Sequence, residues 1–243
     1  MQTNQWDQLS DYFSAPENFS TIHADVADNI LIAWPSLLKG VQLIQADGTH
    51  LQALDYGCGG GNFCNKLFYK GYSVIGCDSS SAMINIAKKN FPNIKFHQCD
   101  SETLHQLGNS PFDLITSIMV FPFVDNMKLL FTNLNNVLKS EGVLAFATFN
   151  PEYVTKNHGD EGCFYSFETP SHPKNGFLRF GKNINLPVFI RTLEEYDDQI
   201  IPFGYKRIFT DTPPFTTQYL AQYKTSSTTS SAEFLILIYR KNR

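Results

Sequence analysis

The sequence has no surplus of positive charge: 19 lysines and arginines stand against 23 acids in 243 residues, a formal net charge of -4. A surface that grips nucleic acid through its phosphates draws on a basic excess, and the only basic clusters, FGYKRIF and YRKNR, are short. Broad RNA or DNA binding is therefore not expected. No apolar run approaches the roughly 20 residues that span a bilayer. The opening MQTNQWDQLSDYF also lacks a cationic start followed by an apolar core, so neither membrane insertion nor export is expected. Cys58, Cys64, Cys77, Cys99 and Cys163 include no CxxC pair and make an odd count, which speaks against a disulfide framework. The expected setting is a reducing cytoplasm. No metal site is expected either, because most of these cysteines lie in or beside strands, where Cys acts as a small apolar residue. There is no internal repeat.

What the chain does have is apolar content, 42%, ample for a buried core, and a regular alternation. LQALDYG reads as a strand, NFCNKLFYKG as a helix ended by Gly71, YSVIGCD as a strand, and SSAMINIAKKN as a helix capped by a serine after Asp78. NIKFHQCD and FDLITSIMV follow as strands, then DNMKLLFTNLNNVLKSEG as a helix with Asp125 as its cap, then VLAFATF as a strand. Strands as apolar as LITSIMV and VLAFATF are best buried on both faces. The expected fold is thus α/β: a doubly wound, seven-stranded sheet, mostly parallel with an antiparallel last strand, helices on both faces. In such a sheet the ligand crevice lies beyond the carboxyl ends of the strands.

The chain divides into four stretches of one domain. Residues 1–50 read as an aromatic helical cap broken at Pro16 and Pro35, and 51–150 as the ligand-binding core. Residues 151–190 lack a sustained period and read as a lid or substrate insertion. Residues 191–243 hold a helix, with Thr192 and Glu195 at capping-box spacing, and two strands around the tract KTSSTTSS, a loop between an antiparallel pair.

In ALDYGCGGGNF, Gly57, Gly59 and Gly61 alternate directly after the first strand. The dinucleotide fingerprint G-x-G-x-x-G fails on this spacing, because its third glycine falls on Asn62 from one frame and on Cys64 from the next. A nicotinamide oxidoreductase is therefore disfavoured. A glycine loop between strand and helix still lets a nucleoside ligand approach the backbone and meet the free amides of the helix start. Asp55 ends the first strand, where it can orient an ammonium group. Asp78 ends the second strand about 20 residues after the loop, where a doubly wound site places the carboxylate that accepts two ribose hydroxyls.

The run Asp55, Tyr56, Gly57, Cys58, Gly59, Gly60, Gly61 resembles the first motif of the class I methyltransferases that use S-adenosylmethionine, over roughly Leu51 to Phe149 and more loosely over the last two strands. The resemblance implies that Asp100, after the third strand, bonds the adenine amino group, and that Ser117, Ile118 and Met119 wall the methionine moiety. Cys58, Ser79, Met83 and Ser101 complete the cofactor-binding set it implies. LNNVLKSEGVLAF is similar to the family's helix-to-strand passage, which commonly runs L-K-P-G-G; Ser140 and Glu141 depart from it. Pro122 and Phe123 stand where many members carry a His-Trp pair, so a base must come from elsewhere, with His23, His158 and Tyr165 as candidates.

Tyr12, Phe123, Tyr153, Phe164 and Tyr165 are the candidate acceptor-binding residues, and together they favour an apolar or aromatic small molecule. The expected activity is methyl transfer to O, N or C of such an acceptor. The alternatives are methylation of RNA or protein, or a module that binds S-adenosylmethionine without turnover.

Overall fold

The computed structural model describes residues 5–10, 24–44, 48–108, 112–157, 165–167, 174–180, 184–223 and 232–243. Its centre is a seven-stranded sheet in the order β3-β2-β1-β4-β5-β10-β9. The strands are β1 (Gln52–Tyr56), β2 (Ser73–Asp78), β3 (Lys95–Gln98), β4 (Phe112–Ile118), β5 (Leu138–Phe149), β9 (Tyr205–Asp211) and β10 (Phe234–Lys241). Strands β1 to β5 pair in parallel, whereas β10 is antiparallel to both β5 and β9. This is the expected doubly wound sheet with its antiparallel last strand.

Neighbouring strand residues feed two separate cores, which is why the central strands are apolar throughout. Ala53, Leu114, Val143 and Ile236 join one core with Leu37, Leu67 and Ile84, from α3 (Trp34–Ile44), α4 (Asn62–Tyr69) and α5 (Ser81–Asn90). Their neighbours Leu54, Ile115, Leu144 and Leu237 join the other with Leu130, Leu134 and Ile200, from α6 (Met127–Val137) and α8 (Leu193–Ile200). Helices therefore cover both faces. No described helix is long and apolar enough to cross a membrane.

The helix starts follow local capping chemistry. The Ser80 hydroxyl accepts the Met83 N–H at 3.1 Å, and Thr192 and Glu195 form the expected capping box. Helix α6 differs from expectation: its cap is Asn126, whose side chain accepts the Leu129 N–H at 3.0 Å, and it ends at Val137. The chain goes straight into β5, turning at Glu141 with φ 62°. Pro35 does not break the N-terminal helix. Between α2 (Ala24–Asp28) and α3 the residues Asn29–Ala33 form a π-helical stretch, and the Trp34 N–H bonds back to Asn29 O. Widening the turn there accommodates a residue that cannot donate. Pro16 and the KTSSTTSS tract lie outside the described residues.

The stretch 151–190 holds regular structure that periodicity did not reveal. Helix α7 (Pro151–Asn157) follows β5, and β6 (Tyr165–Phe167), β7 (Lys174–Phe180) and β8 (Ile184–Ile190) form a three-stranded antiparallel sheet in the order β6-β7-β8. Pro187 is tolerated because β8 is the edge of that sheet. Another short helix missed by sequence, α9 (Thr217–Gln222), lies between β9 and β10.

Candidate functional site

The carboxyl ends of β1, β2 and β3 are neighbours in the sheet, and they bring Asp55, Asp78 and Asp100 to one edge. Between β1 and α4 the loop folds over β2: the Gly57 and Cys58 N–H groups donate to Cys77 O at 2.8 and 2.9 Å. All three alternating glycines have positive φ, but for different reasons. A Cβ on Gly57 would lie 2.1 Å from Val120 Cγ2, and one on Gly61 would lie 2.8 Å from Phe96 Cζ. These two are excluded from carrying side chains by the protein's own packing. At Gly59, φ 52°, a Cβ would meet nothing within 4 Å, so the backbone there faces open space that a ligand can use. Gly61, the N-cap of α4, has no side chain to offer the helix amides.

Asp78 closes this loop from the far side. Its Oδ2 accepts the Gly59 N–H at 2.9 Å and its Oδ1 accepts the Ser80 N–H at 2.9 Å. Each oxygen of a carboxylate has a second lone pair, so both remain able to receive a hydroxyl. Burial raises the Asp78 carboxyl above its ordinary range, against the pull of the Ser80 and Gly59 hydrogen bonds, and the charge of Asp7 adds to the rise.

Asp55 is turned inward. It is 2% exposed; Thr116 Oγ1 donates to its Oδ1 at 2.8 Å and the Cys64 thiol to its Oδ2 at 3.3 Å. Burial raises its pKa from 3.8 to about 6, although Thr116 and Cys64 both oppose the shift. Its contribution to a ligand is therefore a field and a fixed loop rather than a free acceptor. Asp100 is exposed, and its Oδ1 accepts the Glu102 N–H, the Thr103 N–H and the Thr103 hydroxyl, each at 2.9 Å. Partial burial alone would raise it, but the hydrogen bonds, led by those from Thr103, outweigh this and hold its carboxyl below the ordinary range.

The remaining candidates divide between a half-buried rim and the packed interior. Ser79 and Ser101 flank the acids at the strand ends, and their carbonyls accept from Gln98 Nε2 at 3.1 Å and Asn133 Nδ2 at 2.6 Å. Ile118 and Met119 are partly buried where β4 ends, with Met119 at φ 56°. Ser117 is fully buried and donates to Tyr56 O at 2.9 Å, and Met83 is a core residue of α5. Cys58, Cys64 and Cys77 are buried, and burial pushes the Cys58 thiol up to about 11 and lifts Cys64 and Cys77 well above their usual values, which keeps them protonated and inert.

On the acceptor side Phe123 lies in the turn Phe121–Phe123 and meets the Trp6 ring edge to face, centroids 4.9 Å apart. Tyr153 packs on Phe215, centroids 6.1 Å apart. Tyr12, His23, His158 and Phe164 lie outside the described residues, and of Tyr165 only the backbone, in β6, is described. Sequence reading missed Thr116, which holds Asp55, and Arg191. Arg191 is 2% exposed and donates to Phe121 O at 3.1 Å and Val124 O at 2.7 Å, tying the end of β8 to the turn after β4. It also missed Asp28 and Glu233: burial, then the neighbouring Asp28, to which it is hydrogen-bonded, keep the Glu233 carboxyl protonated well above its ordinary range. A single buried arginine or acid carries no motif.

The comparisons with known proteins agree with this geometry. A family described as "Methyltransferase domain" matches residues 47–193. The ubiquinone biosynthesis O-methyltransferase of Bartonella tribocorum is 31% identical over 145 residues, 58% of this chain and 58% of that protein. The chain spans between 33% and 58% of the length of the first curated relatives it matches. An S-adenosylmethionine-dependent methyltransferase structure from Mesorhizobium loti shares the fold with TM-score 0.65 and 22% identity, covering 86% of this chain and 97% of the other. Another from Clostridium acetobutylicum shares it with TM-score 0.62 and 16% identity over 99% and 100% of the two chains.

Proposed function

The chain belongs to the methyltransferase domain family, whose cofactor is S-adenosylmethionine, and from that premise we propose that it transfers a methyl group to an O, N or C atom of a small-molecule acceptor. The observation that carries the reading is the open backbone at Gly59 faced by the two half-engaged oxygens of Asp78. Asp78 receives the ribose hydroxyls, the loop 57–61 lies along the nucleoside, and Asp100 and Ser101 flank the adenine. Asp55 acts from within, as a buried carboxyl beneath the amino acid end. Ile118 and Met119 form the wall beside the reacting centre.

The cofactor, when bound, supplies a methyl group on a positively charged sulfur. The chain's own residues then have to bind, align and keep water away. Alignment of two reactants is worth on the order of 7 to 11 kcal/mol, so the reading asks for no enzyme nucleophile. The described turn 5–10, α7 and β8 lie on the acceptor side in this reading, and the aromatic character of Phe123 and Tyr153 supports a flat, apolar acceptor. The Bartonella relative, named for O-methylation in ubiquinone biosynthesis, favours oxygen among the three atom types, and an oxygen on a flat, apolar acceptor is a phenolic hydroxyl.

Methyl-labelled S-adenosylmethionine incubated with phenols and catechols, with amines, and with RNA and unrelated protein tests the proposal. Label is expected in a small phenolic product. Label confined to RNA or protein, or cofactor binding without any product, contradicts it.

A further inference from the structure

The turn α1 (Gln5–Gln8) touches both rims of the crevice. Trp6 meets Phe123 beyond β4. One residue on, the Asp7 carboxylate lies at the start of α5, where its Oδ1 accepts the Ala82 N–H at 3.1 Å and the Ser80 hydroxyl at 2.5 Å. The turn is fixed by Leu9, fully buried, and by the Ser10 hydroxyl, which donates to Asp7 O at 2.9 Å.

Ser80 is thereby held between two carboxylates. Its hydroxyl donates to Asp7 and its N–H to Asp78 Oδ1, while its oxygen accepts the Met83 N–H. Bringing Asp7 close to Asp78 is electrostatically unfavourable, and the arrangement persists because helix-start amides and the serine hydroxyl solvate Asp7. For the helix itself Asp7 adds one bond to the Ser80 cap, taking the Ala82 N–H where Ser80 takes that of Met83. What it adds besides is a fixed position for Ser80, 73 residues away in the chain.

We propose that Asp7 is a positioning residue for the cofactor's ribose: by fixing Ser80 and the first turn of α5, it sets the oxygens of Asp78 where two vicinal hydroxyls are received. The proposal rests on the reading of Asp78 as the ribose acceptor. It makes the N-terminal turn a working part of the nucleoside site, in addition to any part it plays on the acceptor side.

The test is calorimetric titration of S-adenosylhomocysteine and of its 2′-deoxy analogue into the full chain and into Asp7→Ala, Asp7→Asn and Asp78→Ala. The full chain is expected to prefer the ribose ligand. Asp7→Ala is expected to weaken S-adenosylhomocysteine about fivefold to tenfold, the worth of one oriented hydrogen bond. It should weaken the deoxy analogue much less, so that the preference shrinks. Asp7→Asn, which keeps an acceptor for Ser80, is expected to restore most of it. Equal losses on both ligands, or none, would overturn the proposal, because a merely structural Asp7 does not distinguish them. If Asp7→Ala does not fold, Asp7→Ser, too short to reach Ser80, is judged by the same preference. A preference that survives Asp78→Ala sinks the ribose reading itself; one lost in Asp78→Ala and intact in the Asp7 variants sinks only the role of Asp7.

Discussion

The two rims of the crevice are built on opposite plans. At the ends of β2 and β3, carboxylates hold backbone N–H groups and keep lone pairs for a ligand: Asp78 grips Gly59 and Ser80, and Asp100 grips residues 102 and 103. Beyond β4 and β5, rings form the wall and the polar groups turn inward. Trp6 meets Phe123, Tyr153 meets Phe215, and Arg191 spends its guanidinium on the carbonyls of Phe121 and Val124. In the proposed function the first rim takes a constant molecule through hydrogen bonds of fixed direction. In that same proposal the other takes its acceptor by shape, which can vary while the first stays the same.

Substitutions on the two rims should therefore fail differently. Arg191→Met removes the donors of two carbonyls from a site 2% exposed and is expected to cost about 3 kcal/mol of stability, read from denaturant unfolding, with S-adenosylhomocysteine affinity nearly unchanged in the folded fraction. Gly59→Leu reverses that pattern. It fills the open space and is expected to weaken S-adenosylhomocysteine binding by roughly a hundredfold or more. Its stability loss should stay within about 1–2 kcal/mol, the cost of a side chain at positive φ. An Arg191 variant that loses cofactor affinity, or a Gly59 variant that keeps it, would erase the distinction.

Acidity offers a finer probe of the first rim. The Asp55 carboxyl, raised from 3.8 to about 6 by burial, holds its proton more tightly in the fold than in the unfolded chain. Its contribution to stability is therefore full below 3.8 and is lost as pH climbs through 6. A cationic ligand prefers the ionised form. Cofactor affinity is expected to fall as pH drops below about 6, and Asp55→Asn should flatten that dependence. Because burial raises Asp78 in the same direction, titrating Asp78→Asn in parallel assigns the remainder. The smallest effect lies far from either rim: Glu141, at φ 62°, stands where the family's passage commonly has glycine, and Glu141→Gly is expected to stabilise the protein by up to about 1 kcal/mol in thermal unfolding. The exposed Arg243–Glu141 pair it removes is worth little.

The same contrast explains what could be read in the sequence. The first rim is written within one strand-helix-strand unit: the glycines directly after β1, the acid at the end of β2 and a serine cap just after it, so Asp78, Gly59 and a capping serine follow from spacing and local hydrogen-bond chemistry, with the structure choosing Ser80. The second rim depends on distant partners. Arg191 meets a turn some 70 residues earlier, and Trp6 meets Phe123, so no window contains the interaction. The small sheet β6-β7-β8 escaped because β6 has only three residues and Gly176 and Pro187, both ordinary breakers of a strand pattern, sit inside the two longer strands. Pro35 misled in the other direction, since a π-helical stretch absorbs the residue that ordinarily ends a helix.

The most direct test of the account is a crystal structure of the chain grown with S-adenosylhomocysteine. The account predicts the nucleoside against Gly59 with both ribose hydroxyls within hydrogen-bond distance of the Asp78 oxygens. A ligand bound elsewhere, or one whose ribose turns away from Asp78, would contradict it.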